Sequence, residues 1–243
     1  MPTLEEWKQI EKNCTNLFKK YVVPRINKQK APIDVAFLSA ELGYRPAVVR
    51  ALTYNKSQYA NMSSQERKEE FVNPVIIKCI KPFLKKRQFD IQSCLDCIDD
   101  VRKECRCNKG VSDFTYGNAQ KWVNMSIKYY IILNAFICST NDRKNPPHEI
   151  KNEKEKTGIF QLGANDFLLR ELYKTNCFWG YELMPIDSKI LKIGPNNNLG
   201  TWSKNDDKED FICYWKQIKS SYLPNHQQFS SGFTPILYEM YVW

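Results

Sequence analysis

Residues 114–137 read FTYGNAQKWVNMSIKYYIILNAFI, the longest and most apolar segment of the chain. A helix with so little polar surface belongs in an interior, so the segment is predicted to run through the middle of the fold. Helical spacing continues on both sides of it. Trp7, Ile10, Cys14, Leu17, Phe18 and Tyr21 recur at steps of three and four, and Thr3-Leu4-Glu5-Glu6 has the Thr-x-x-Glu form of a capping box. Val35 to Leu42 stops at Gly43 as at a helix C′ residue, and Pro46 opens a second short helix carrying Val48, Val49 and Leu52. Ser63-Ser64-Gln65-Glu66 caps a further segment, which Pro74 interrupts and which resumes through Val75, Ile76, Ile80, Phe83 and Leu84. Helices are also expected over Ile91 to Cys105, Asn165 to Tyr173, from Met184-Pro185-Ile186-Asp187, over Asp207 to Tyr222 and over Pro235 to Trp243, the last docking on the core or on another subunit.

The stretch 140–158 is polar, charged and broken by Pro146-Pro147, which marks a surface loop or insertion. No β alternation of useful length and no internal repeat is visible. The expected fold is all-α, one domain over 1–243 in two lobes, with about nine or ten helices around the central apolar one.

Composition bounds the function. The chain has 243 residues, 42% hydrophobic and 26% charged, which are globular values. No apolar run approaches the ~18 residues needed to cross a bilayer, and Glu5 and Glu6 stand where a signal peptide would be basic and then apolar. The expectation is a soluble cytoplasmic protein with no membrane partner, whose 9 cysteines are reduced thiols rather than a disulfide framework. Lys and Arg number 36 against 27 Asp and Glu, and the net charge of +9 favours a polyanionic partner, nucleic acid and DNA first of all. Lys78, Lys81, Lys85, Lys86 and Arg87 form one such basic face, to be read as phosphate-contacting or simply as solvated.

Several chemistries are poorly served. Only His148 and His226 are present, and neither a Gly-x-x-x-x-Gly-Lys phosphate loop nor a Gly-x-Gly-x-x-Gly turn occurs. Cys94, Cys97, Cys105 and Cys107 are close enough in sequence to suggest a metal site, but the first three share helical steps. One continuous helix cannot wrap four sulfurs around an ion, so buried free thiols are the favoured reading and neither metal nor cofactor is called for.

Two motifs carry more. Tyr116-Gly117-Asn118-Ala119-Gln120-Lys121-Trp122 opens the central helix with a Gly followed four residues later by a Lys. Downstream, Met184-Pro185-Ile186-Asp187-Ser188 places an Asp at a helix start just after a Pro. An N-glycosidic bond breaks with positive charge growing on the sugar, which a fixed carboxylate stabilises, while an amine nucleophile can take the sugar carbon. Asp187 and Lys121 have those chemistries, with Lys128, two turns along the same face, as an alternative amine. The ordinary readings are an N-cap for Asp187 and a surface or phosphate-binding lysine for Lys121.

Gly-x-x-x-Lys at a helix start, followed by Pro-Ile-Asp-Ser opening a later helix, resembles the active-site pattern of helix-hairpin-helix DNA glycosylases, and is most similar to their archaeal 8-oxoguanine type. The family's Leu-Pro-Gly-Val-Gly hairpin is absent, Gly117 alone matching. The resemblance implies excision of a damaged or modified base from DNA, with Lys121 attacking the sugar C1′ and Asp187 assisting, and a lyase step through the same lysine. A base drawn from the stack needs flat partners, for which Tyr116, Trp122, Phe178, Trp179 and Tyr181 are candidates, with Gly117, Gln120 and Lys128 as further substrate contacts. The rival expectation is a non-catalytic helical nucleic-acid-binding protein, in phage defence or regulation.

Overall fold

The computed structural model describes residues 3–28, 30–54, 58–87, 89–137, 149–150, 183–193, 195, 199–223 and 234–242. The described chain is all-α apart from one two-residue antiparallel ribbon. Its elements are α1 (Leu4–Leu17), α2 (Val23–Ile26), β1 (Ile33–Asp34), α3 (Val35–Tyr54), α4 (Ser64–Arg67), α5 (Asn73–Val75), α6 (Lys81–Lys86), α7 (Ile91–Lys103), α8 (Tyr116–Ile137), β2 (Glu149–Ile150), α9 (Ser188–Ile193), α10 (Lys208–Gln217) and α11 (Pro235–Val242). Ile33 pairs with Ile150 and Asp34 with Glu149. That ribbon takes in the only described part of the 140–158 stretch.

Both capping boxes form. Thr3 and Glu6 exchange side-chain bonds with each other's backbone N–H at the head of α1, and Ser63 and Glu66 do so at α4. Helix α8 lies inside the fold, buried on every side from Tyr116 to Phe136. Its most extensive partner is α3, and α7 flanks it next. Helix α11 docks on α1 and the core, where Asn13 donates its Nδ2–H to the carbonyls of Met240 at 3.1 Å and Tyr241 at 2.6 Å, closing the helix C-terminus.

Two expectations are corrected. Helix α3 is continuous from Val35 to Tyr54, through both Gly43 and Pro46, rather than two short helices. Gly43 is needed for helix contact, not for an ending: a Cβ there would lie 2.7 Å from Ser126 Oγ and 3.1 Å from the Trp122 carbonyl of α8. Pro74 does not interrupt its segment either. Wide π-type turns at Lys68–Val72 and Ile76–Ile80 flank α5, and the backbone passes the proline's missing N–H without breaking.

Cys94 and Cys97 of α7 and Cys105 just after it are buried free thiols, each pushed above its ordinary value by burial, whereas Cys107, expected to be buried with them, is an exposed free thiol because it falls off the buried face of the same helical run. Among the described residues no three His, Cys, Asp or Glu side chains converge as metal ligands would, and no helix is long and apolar enough to cross a membrane. On the basic face Lys78 pairs with Glu104, and Lys81 and Lys85 share the single Asp34, so among the described residues two carboxylates stand against its five cations and the face stays net positive.

Candidate active site

The head of α8 is fixed by Thr115 and Asp206. Thr115 Oγ1 accepts from the Asn118 N–H, and the Asp206 carboxylate accepts the Tyr116 N–H at 2.8 Å while binding Arg102 and Arg106 of the α7 side. Burial acts to raise Asp206, but Arg102, the Tyr116 N–H and Arg106 outweigh it and hold the carboxyl below its ordinary value. Gly117 is not a turn residue. It lies in the first turn of α8, donates its N–H to the Asn205 carbonyl at 3.0 Å, and lets the 201–205 backbone come so close that a Cβ would stand 1.8 Å from the Trp202 carbonyl oxygen. Trp202 thereby hangs over the next turn of the helix, where Lys121 projects.

Gln120 and Asn124, one turn apart on α8, hold a second chain segment. Gln120 donates Nε2–H to the Ile186 carbonyl at 2.8 Å and accepts the Ile186 N–H at 3.2 Å, so one carboxamide satisfies both backbone groups of one residue. Asn124 donates to the Met184 carbonyl at 3.2 Å, which also receives the Trp215 indole N–H at 3.0 Å. Pro185 favours an extended backbone at the residue before it. The segment 183–187 is thus laid straight along α8 and delivers Asp187 to the start of α9.

There Asp187 does two things at once. Its Oδ1 accepts the backbone N–H groups of Lys189 at 2.9 Å and Ile190 at 3.1 Å, an N-cap. Its Oδ2 accepts from Lys121 Nζ at 3.1 Å across 66 residues of sequence. The ammonium also sits 4.6 Å from the centre of the Trp202 ring. Lys121 is 6% exposed and Asp187 5%, while Trp202 is partly open to solvent. The two residues selected from sequence therefore meet as one nearly buried ion pair beneath an aromatic lid.

The other selected residues are distributed differently. Trp122 is wholly buried on the opposite side of α8, donating its indole N–H to the Ala40 carbonyl at 2.9 Å and packed beside Tyr44 and Phe71, so it is a core residue and not a platform for a base. Tyr116 is also core, its ring 5.5 Å from that of Phe211. Gln120 spends its amide on Ile186 and acts as a positioning residue. Lys128 is wholly buried and donates to Glu239 Oε1 of α11 at 2.8 Å, a second ion pair two turns from the first. Trp179, Phe178 and Tyr181 lie outside the described residues.

Three participants escaped the sequence reading. Trp202 sits in a polar stretch with no periodicity to mark it. Glu239 is one acid inside an apolar terminal helix. Asn124 was findable, since Gln120 and Asn124 place two carboxamides at an i, i+4 step on an otherwise apolar helix. No family model, curated protein or solved structure matches the chain.

Proposed function

We propose that this protein is a DNA N-glycosylase with lyase capability, Lys121 serving as nucleophile and Asp187 as the electrostatic partner. The observation that carries the reading is the 3.1 Å approach of Lys121 Nζ to Asp187 Oδ2, with the second carboxylate oxygen saturated by backbone N–H groups. A carboxylate compensated in this way stays in place beside a growing positive charge without reorganising. The aromatic face of Trp202, partly open, is the flat surface nearest the amine, and replaces Trp122 and Tyr116 as the candidate stacking partner.

In the proposed reaction the Lys121 ammonium gives a proton to the departing base, and the C1′–N bond breaks with its electron pair leaving on the base. Asp187 faces the positive sugar, and the now neutral amine closes on C1′. A proton then passes from the adduct nitrogen to O4′, the C1′–O4′ bond breaks, and the resulting protonated imine takes hydride from borohydride to give a stable amine. Substrate reaches the pair when the 201–205 segment shifts on α8 and the Trp202 ring passes from the ammonium to the base.

The test uses the full chain with borohydride and single- and double-stranded DNAs, each carrying one modified base. A covalent protein–DNA band is expected, absent in Lys121→Ala, and Asp187→Asn is expected to slow base release by about 10²–10³. No band and no base release across the panel would reject the reading. The near-complete burial of the pair favours a second one, a non-catalytic basic module in which Lys121 and Asp187 merely tie 183–187 to α8. It expects salt-dependent DNA binding that survives Asp187→Asn.

A further inference from the structure

A recess of about 500 Å³ opens between α1–α2, α3 and α8, within the size range of small-molecule sites. Lys20, Tyr21, Pro24, Arg25 and Lys28 line one side of it at helical steps, and Leu42, Met125 and Lys128 line the other. Among the described residues no carboxylate lines it. Arg25 and Lys68 share Glu41, and Lys128 binds Glu239. Four cationic side chains of the lining (Lys20, Arg25, Lys28 and Lys128) therefore stand against the two carboxylates paired with Arg25 and Lys128, an excess of two positive charges carried by Lys20 and Lys28. Lys20 and Lys28 are exposed at its rim, and Lys20 Nζ lies 4.9 Å from the centre of the Tyr21 ring.

We propose that this recess binds a 5′-nucleoside monophosphate unit, either as the free mononucleotide or as the phosphorylated 5′ end of a DNA strand. A phosphomonoester is a dianion whose three terminal oxygens can take bonds from separate cations, and Lys20, Arg25 and Lys28 come from three points along one helical face. Below them the wall turns apolar and aromatic at Leu17, Leu42, Met125 and Tyr129, which suits a flat base rather than a second charged group. Inorganic phosphate would leave that lower wall uncovered, and a cation would meet only like charge. The site lies on α8 beside Lys128 rather than at Lys121, so its occupancy does not require Lys121 chemistry.

The test is calorimetric titration of the full chain with deoxyadenosine 5′-monophosphate, deoxyadenosine, inorganic phosphate, and an eight-nucleotide deoxyadenylate with and without a 5′-phosphate. Saturable binding is expected for the monophosphate or the 5′-phosphorylated oligomer, at least about tenfold tighter than for its unphosphorylated counterpart. The doubly substituted Lys20→Ala/Lys28→Ala protein, both sites exposed, should melt as the parent does and bind about tenfold more weakly or worse, while Lys121→Ala should keep the parent's affinity for the free mononucleotide. Binding of the free mononucleotide identifies a metabolite ligand, and binding of the oligomer alone identifies a strand end. No saturation by either, binding indifferent to Lys20 and Lys28, or inorganic phosphate binding as tightly as the mononucleotide would each overturn the proposal.

Discussion

Helix α8 carries two buried Lys–carboxylate pairs, two turns apart on one face, and they are built differently. In the outer pair, Lys121 and Asp187, every oxygen of the acid is engaged: two backbone N–H groups on Oδ1, the ammonium on Oδ2, and Trp202 over the cation. In the inner pair, Lys128 and Glu239, both side chains are wholly buried and Glu239 Oε2 finds no hydrogen-bond partner among the described residues. Burial raises Glu239 above its ordinary carboxyl value against the pull of Lys128. An acid compensated by fixed backbone dipoles can lose its cation and remain satisfied. An acid that depends on one cation cannot. The outer pair is thus free to exchange partners, and the inner pair is a tie between α8 and α11.

The largest effect that could break this contrast is expected at the inner pair. Lys128→Met leaves Glu239 buried without its cation and should cost about 3–5 kcal/mol, a fall in Tm on the order of 10 °C. Adding Glu239→Leu should restore most of that loss, because the desolvation burden leaves with the second charge. Urea unfolding of the single and double variants measures both steps. A double variant no more stable than Lys128→Met would show that the pair is not the isolated tie described here.

Next comes Lys121→Met, whose stability cost should be only about 1–2 kcal/mol, since Asp187 keeps its two N–H donors. The comparison sharpens if this variant melts well above Lys128→Met while losing all covalent trapping. Equal losses at the two lysines would remove the distinction. Gly117→Ala should fall in a similar range, about 1–3 kcal/mol, because the new methyl meets the Trp202 carbonyl and the 201–205 segment must shift. Its signature is a changed tryptophan fluorescence together with weakened trapping, an effect that reaches the outer pair and leaves the inner one untouched.

These expectations also show what the sequence could tell and why. The all-α class, the interior position of α8 and both capping boxes were legible because periodicity and cap chemistry act over a few residues. The meeting of Lys121 with Asp187 had no local signal: it was expected only from the resemblance of Gly-x-x-x-Lys and Pro-Ile-Asp-Ser to a family pattern, and Gly117, read there as a turn, serves instead the close approach of 201–205. Gly43, Pro46 and Pro74 were misjudged because their local meaning, a helix end or break, yields to tertiary needs: close approach to α8 at Gly43, and π-type turns flanking α5 at Pro74. Trp122 shows the same limit from the other side. It neighbours Lys121 in sequence but points into the core, since adjacent helical residues do not share a face. Glu239 had no local signal at all, its role existing only through Lys128, 111 residues away.

The smallest predicted effect is a pH dependence that belongs to the inner pair alone. With Glu239 raised by burial, the folded chain holds a proton over an interval above the ordinary value of 4.5, where the unfolded chain has already released it. Stability should therefore fall as pH rises through that interval and level off above the folded value. Asp34, Asp206 and Glu104 act in the opposite sense. Burial opposes them, but lysine, arginine and hydrogen-bond donors outweigh it and hold them low, so their contributions are lost only as pH falls through their folded values, at or below the ordinary carboxyl range. Cys14, which touches the same pair electrostatically, is pushed up to about 12 by burial and stays protonated throughout. The difference in unfolding free energy between the parent and Glu239→Gln, followed by urea titration from about pH 5 upward, isolates the term because the amide cannot titrate. The parent should lose ground to the variant as pH climbs. A parent that gains ground would mean that the Lys128 charge, rather than burial, sets the Glu239 carboxyl, and the inner pair would then be compensated as fully as the outer.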